Sequence, residues 1–210
     1  MKTLNTLVLG ASVFLLVGCF DVYQHVTKET NGNVSMYFKI AMSKAFLNMG
    51  NSSGGSNSQP ATNPFADFSS NPIVTAAQQL GGTVTGIDTD TEFGVAIRLS
   101  LDTKSPDVQA AMSSQGSPLI PQISDKGITI SFPSQGSPSG QDQNSKAIMT
   151  AFKYRLSIGK ALLPTISKVT LRTADMETSP EVIDLPDMYM IEIPMSDVFS
   201  AGKSQLIILK

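Results

Sequence analysis

Residues 34–42 narrow the possible folds more than any other segment. Val34, Met36, Phe38, Ile40 and Met42 alternate with Ser35, Tyr37, Lys39 and Ala41, the period of a strand with one face in a core and the other toward solvent. Asn31-Gly32, just before it, is the dipeptide that most favours a tight hairpin, so 22–42 is predicted to be a β-hairpin. One-sided strands of this kind belong to antiparallel sheets. A doubly wound parallel sheet buries both faces and reads as continuous apolar runs. A two-residue loop would place His25 opposite Phe38, and a slip of one residue would place Val26 there and invert the first arm.

The rest of the chain repeats this grammar. Residues 83–88 and 93–102 form a second strand pair, with Val95, Ile97, Leu99 and Leu101 on one face. Strands are also expected at 119–123 and 128–132, flanking an Asp125-Lys126-Gly127 turn, and at 147–156, 168–172, 188–193 and 205–209. Ser43 is placed to cap a short helix running to 49 and stopping at Gly50. Asn71-Pro72 opens a second helix that Gly81-Gly82 ends. Ser105-Pro106 starts a third, to about 112, and Ser196 is a candidate cap for a last helical turn. The expected fold is α+β: a mostly antiparallel curled sheet or half-open barrel of about eight strands, with three or four short helices. Segments 51–64 and 133–145 hold mainly Asn, Ser, Gly, Gln, Thr and Pro. They bury too little apolar surface to offset their ordering entropy and are expected to be flexible loops.

Composition removes several function classes. Lys and Arg, 15 in all against 17 acidic residues, occur only singly along the chain. Neither the basic stripe of a nucleic-acid binder nor the polybasic face of a lipid-bound amphipathic helix can be assembled from them. With 41% hydrophobic residues the chain can build a core, and 210 residues suit one ordinary domain.

The N-terminus carries an address. Lys2 precedes an uncharged, largely apolar stretch from residue 7 to 18, too short and too interrupted by Gly10, Ser12 and Gly18 to span a bilayer in the usual way. It ends in Leu16-Val17-Gly18-Cys19, and Cys19 is the only cysteine in the chain. An uncleaved anchor, or a generic export signal with a coincidental cysteine, would also give an apolar start. The spacing, the small residue before the cut and the uniqueness of the thiol instead resemble the lipobox of bacterial lipoprotein signals. That resemblance implies cleavage after residue 18, lipidation of Cys19 with palmitate-type acyl chains, and a single domain over 19–210 held at a membrane of the cell envelope. Phe20, rather than an acidic residue, follows Cys19, which by resemblance to the sorting rule of enteric bacteria points to the outer membrane.

Chemistry-bearing patterns are sparse. Gly50-Asn51-Ser52-Ser53-Gly54 matches the hydrolase spacing G-x-S-x-G, but it lies where a strand-to-helix elbow is not expected. Asp88-Thr89-Asp90-Thr91-Glu92 sets three carboxylates at alternate positions. A calcium loop needs Gly at its sixth position and Glu at its twelfth, where this chain has Phe93 and Leu99, so a solvated hairpin turn is expected. Met188-Tyr189-Met190 has a spacing that copper sites use, yet methionines sharing a strand face are usually core filler. His25, the only histidine, has no second histidine, and with Cys19 expected to be acylated no usable cysteine, with which to bind zinc or build a triad. No catalytic residue, metal ligand or cofactor is expected.

The arrangement of Cys19, the hairpin at 22–42, the strand pair within 81–102 and the late strand at 188–194 resembles the LppM-type envelope lipoproteins. That resemblance implies a β-rich domain that handles envelope lipid. Adaptable methionines suit an apolar pocket, and Met36, Phe38, Ile40, Met188 and Met190 are the residues expected to line one. The alternative is a structural or surface-interaction lipoprotein with no cavity. Partners are then the membrane, through the acyl anchor, and an envelope lipid, with no nucleic acid.

Overall fold

The computed structural model describes residues 20–52, 63, 65, 71–113, 119–132, 150, 152–198 and 204–210. Residues 1–19, on which the expected export signal and Cys19 fall, and most of the two polar segments 51–64 and 133–145, lie outside the described residues.

Among the described residues twelve strands form two sheets. The larger has β1 (Phe20–Lys28), β2 (Val34–Ser43), β3 (Thr83–Asp88), β4 (Glu92–Leu101), β7 (Lys153–Gly159), β10 (Val182–Asp184) and β11 (Met188–Pro194), in the order β10-β11-β7-β1-β2-β4-β3. The smaller has β5 (Gln122–Ser124), β6 (Gly127–Phe132), β8 (Lys168–Arg172), β9 (Glu177–Thr178) and β12 (Ser204–Leu209), in the order β5-β6-β12-β8-β9. Helices α1 (Lys44–Ser52), α2 (Pro72–Gln79), α3 (Pro106–Ser113) and α4 (Met195–Val198) complete the fold. The α+β class and the antiparallel character agree with the alternation in the sequence; among the described pairings only β1 with β7 is parallel. The strand number exceeds the expected eight or so in part because β9 and β10, of two and three residues, are too short to show a period; the strand expected at 119–123 is present but shortened to β5.

The strands divide into two sheets rather than one curled sheet, and the described residues contain no closed barrel. Val22, Met36, Phe38, Ile97, Leu156 and Ile191 on the inner face of the larger sheet share one core with Ile130, Phe132, Leu171 and Leu206 of the smaller. The rings of Phe132 and Tyr154 meet edge to face across it, 5.1 Å apart. Val74 and Ala77 of α2 and Val108 of α3 belong to the same core.

The first hairpin corrects the expected register. Gly32 sits at φ +93° and its N–H donates to the Glu29 carbonyl (3.0 Å), while Glu29 N–H donates to the Asn33 carbonyl (2.8 Å). The Asn31 carboxamide oxygen accepts from Asn33 N–H. This is a three-residue loop, a turn followed by a left-handed residue, instead of the two-residue Asn-Gly loop. Lys28 therefore faces Val34, and Gln24, neither His25 nor Val26, lies opposite Phe38.

Other boundaries shift for local reasons. Strand β7 spans 153–159 rather than 147–156, because its neighbour β1 fixes its extent through pairs from Val22–Tyr154 to Val26–Ile158. Ser43 does accept from Ala45 N–H, but α1 continues to Ser52, past Gly50. Ser196 lies inside α4 rather than capping it, and its hydroxyl donates to Asp197. Asn71 caps α2 by accepting from Ile73 N–H, with Pro72 in the first turn, and Gly81 leaves the helix at φ +76°.

Candidate functional site

Two polar constellations and one aromatic cluster stand out. The first is inside. Gln24 is fully buried, and its Nε2 donates to the Leu119 carbonyl at 2.8 Å and to Met36 Sδ at 3.2 Å. Its Oε1 accepts from Tyr154 OH at 2.5 Å. Burial pushes the Tyr154 phenol far above its ordinary range, so it remains a donor. Leu119 stands at φ +67°, a conformation costing a leucine on the order of 1 kcal/mol, and its N–H donates to the Ser131 carbonyl. Among the described residues no buried side-chain polar atom lacks a partner. The network therefore fixes the register of β1 against the opposite layer.

The second constellation is on the outer face of the larger sheet. Cross-strand pairing aligns Met190, Ser157, His25, Tyr37 and Arg98 in one row over five strands. Ser157 Oγ lies 2.6 Å from His25 Nδ1 and 2.8 Å from Tyr23 OH, and Arg98 covers the Tyr37 ring at 5.4 Å. Partial burial lowers the His25 pKa from its ordinary value, which favours the neutral ring. The Ser–His contact has the atoms of a nucleophile and base but not the setting. Ser157 is 1% exposed, and among the described residues no carboxylate orients the ring, as a triad requires. Beside this row runs an alternating chain of charge: Lys153–Glu192 (2.9 Å), Glu192–Arg155 (3.2 Å), Arg155–Asp21 (3.4 Å), Asp21–Lys39 (3.9 Å) and Lys39–Glu92 (3.2 Å). The Lys153 hydrogen bond, with help from Arg155, holds the Glu192 carboxyl below its usual range against a smaller opposing effect of burial. A depressed carboxylate pKa stabilises the fold above the ordinary glutamate value of about 4.3 and loses that contribution as pH falls through the folded-state value.

The aromatic cluster closes the end of the core where β1 begins. Phe152 meets Phe20 at 5.2 Å and Phe46 of α1 edge to face at 5.7 Å. Phe20 pairs with Met42, and Met42 with Phe93, whose ring carries the Lys44 ammonium at 4.2 Å.

The five residues expected to line an apolar pocket are not brought together. Met36 and Phe38 are each 3% exposed within the shared core, and Ile40 packs partly buried against it. Met188 and Met190 share a face with each other, as their spacing implies, but it is the opposite face of the same sheet. There they are half-buried, while Tyr189, Ile191 and Ile193 point inward. Asp88 pairs with Lys44 and Glu92 with Lys39, around a turn in which Thr89 N–H donates to the Glu92 carbonyl. Ser52 belongs to α1, and the rest of the G-x-S-x-G match, Ser53-Gly54, lies outside the described residues. A cleft of about 260 Å³ between β9, β11 and α4 is lined by Leu171, Pro180, Glu181, Glu192, Ile193 and Asp197, among others. Among the described residues no group of three or more His, Cys, Asp or Glu side chains is placed to hold a metal ion, and no helix is long and apolar enough to cross a membrane.

Sequence reasoning missed Gln24 and Tyr154 as a buried pair and Ser157 as the partner of His25. Both depend on the parallel β1–β7 contact, which joins residues 130 and 132 positions apart. The alternation of Val22, Gln24 and Val26 was the available signal for Gln24.

No family model matches the chain, and no curated protein matches it. Among solved structures, the folded domain of the Mycobacterium tuberculosis protein LppM, determined by NMR, aligns over 91% of both chains with 12% identity and a TM-score of 0.37. At that TM-score no residue role passes from one chain to the other.

Proposed function

We propose that this chain is a non-enzymatic, lipid-anchored protein of the bacterial cell envelope, held through acylated Cys19, whose β domain acts through its surface rather than by enclosing a lipid. The observation that carries the anchor is the placement of the only cysteine directly after Leu16-Val17-Gly18 and directly before Phe20, the first residue of β1. The solid packing of Met36 and Phe38 supports a surface role over a ligand cavity. The absence of an acidic residue after Cys19 favours the outer membrane.

Titrating folded protein that lacks Cys19 with a fluorescent fatty acid or phospholipid tests the surface role. No saturable binding is expected at micromolar concentration. Saturable binding that Met36→Gln weakens would restore the lipid-carrier reading.

A further inference from the structure

We propose that the aromatic end of the domain, bearing Phe20, Met42, Phe46 and Leu47, rests on the bilayer that holds the acyl chains, so that the larger sheet stands upright on the membrane. The inference rests on the acylation of Cys19 and adds an orientation to it. One peptide bond separates Cys19 from the first strand residue. Consecutive Cα atoms are about 3.8 Å apart, so the lipid-bearing residue leaves the domain no linker on which to swing away. Strand β1 enters at this end. β2 leaves there into α1, β4 begins there, and Phe152 leads into β7 there. Phe20, Met42, Phe46 and Leu47 are half-buried, apolar enough to gain from a headgroup boundary, where aromatic rings are favoured.

Charges nearby are largely matched within the protein. Lys44 pairs with Asp88 and Lys39 with Asp21 and Glu92, so contact would be apolar and short-ranged rather than steered by anionic lipid. At about 3.3 Å per residue, the nine residues of β1 lift the Asn31-Gly32 tip roughly 25–30 Å above the surface. The row from Met190 to Arg98 is then presented sideways, parallel to the membrane.

The test uses the acylated protein in phosphatidylcholine vesicles that carry a nitroxide on a fraction of headgroups. Because Cys19 is acylated, a cysteine introduced by Leu47→Cys, Ala45→Cys or Asn31→Cys is the only free thiol for a fluorescent label. Labels at 47 and 45 should be quenched several-fold more than the label at 31. Equal quenching at both ends, or stronger quenching at 31, overturns the orientation. The intact mass of the same sample separates the two readings. Unacylated Cys19 sinks the anchor itself, whereas acylated protein with equal quenching sinks the orientation alone.

Discussion

Phe38→Asp is expected to yield no folded protein. Phe38 is 3% exposed between Gln24 and Ile97 on neighbouring strands. The one polar group opposite it, Gln24, is already engaged by Tyr154, Leu119 and Met36. Lys39, Arg98, Lys153 and Arg155 lie at alternate positions on the outer face of the sheet and cannot reach inward, and Lys28 is exposed at the far end of β1. Removing the ring alone costs about 3–5 kcal/mol, and an unpaired buried carboxylate adds several more, against a total stability of about 5–15 kcal/mol. Phe38→Leu, which keeps most of the volume, should fold at a cost of about 1.5 kcal/mol or less. Circular dichroism and urea denaturation distinguish the pair. A folded Phe38→Asp protein of near-native stability would mean that this face opens onto solvent or a cavity.

Gln24→Glu should lose several kcal/mol at neutral pH and recover part of it on acidification. The substitution keeps shape but replaces the Nε2 donor that serves Leu119 and Met36, and it puts a carboxylate at a site with no exposure. Burial raises a carboxyl pKa. A group whose folded-state pKa lies above its unfolded value of about 4.3 is best tolerated below that value, and stability falls as pH rises through the folded-state pKa. The variant should therefore unfold at a lower urea concentration at pH 7 than at pH 5, by a larger margin than the native chain. Equal pH dependence of the two proteins would show that position 24 is solvated.

These two residues also mark how far the sequence could be read. The face carrying Val34, Met36, Phe38 and Ile40 was legible because period-two alternation is local, and the strands at 83–88, 168–172 and 188–193 emerged for the same reason. The loop at Asn31-Gly32 was legible as a turn but not in length. One extra residue in the loop moved Gln24 opposite Phe38, and only the hydrogen bonds of Glu29 and Gly32 decide between the two lengths. The expected pocket failed on topology. Alternation shows that Met188 and Met190 share a face, but not which one. That is set by β11 pairing with β7, and β7 in parallel with β1. The contact of His25 with Ser157 was hidden by the same long-range pairing.

The proposed anchor is Cys19, and the intact mass of the protein extracted from its native cells tests it most directly. The predicted result is a chain beginning at Cys19, heavier than its residues by the attached acyl groups, with Cys19→Ala leaving an unprocessed precursor that is released from the detergent phase. A native protein whose mass includes Met1, or one that begins elsewhere with an unmodified Cys19, would contradict it.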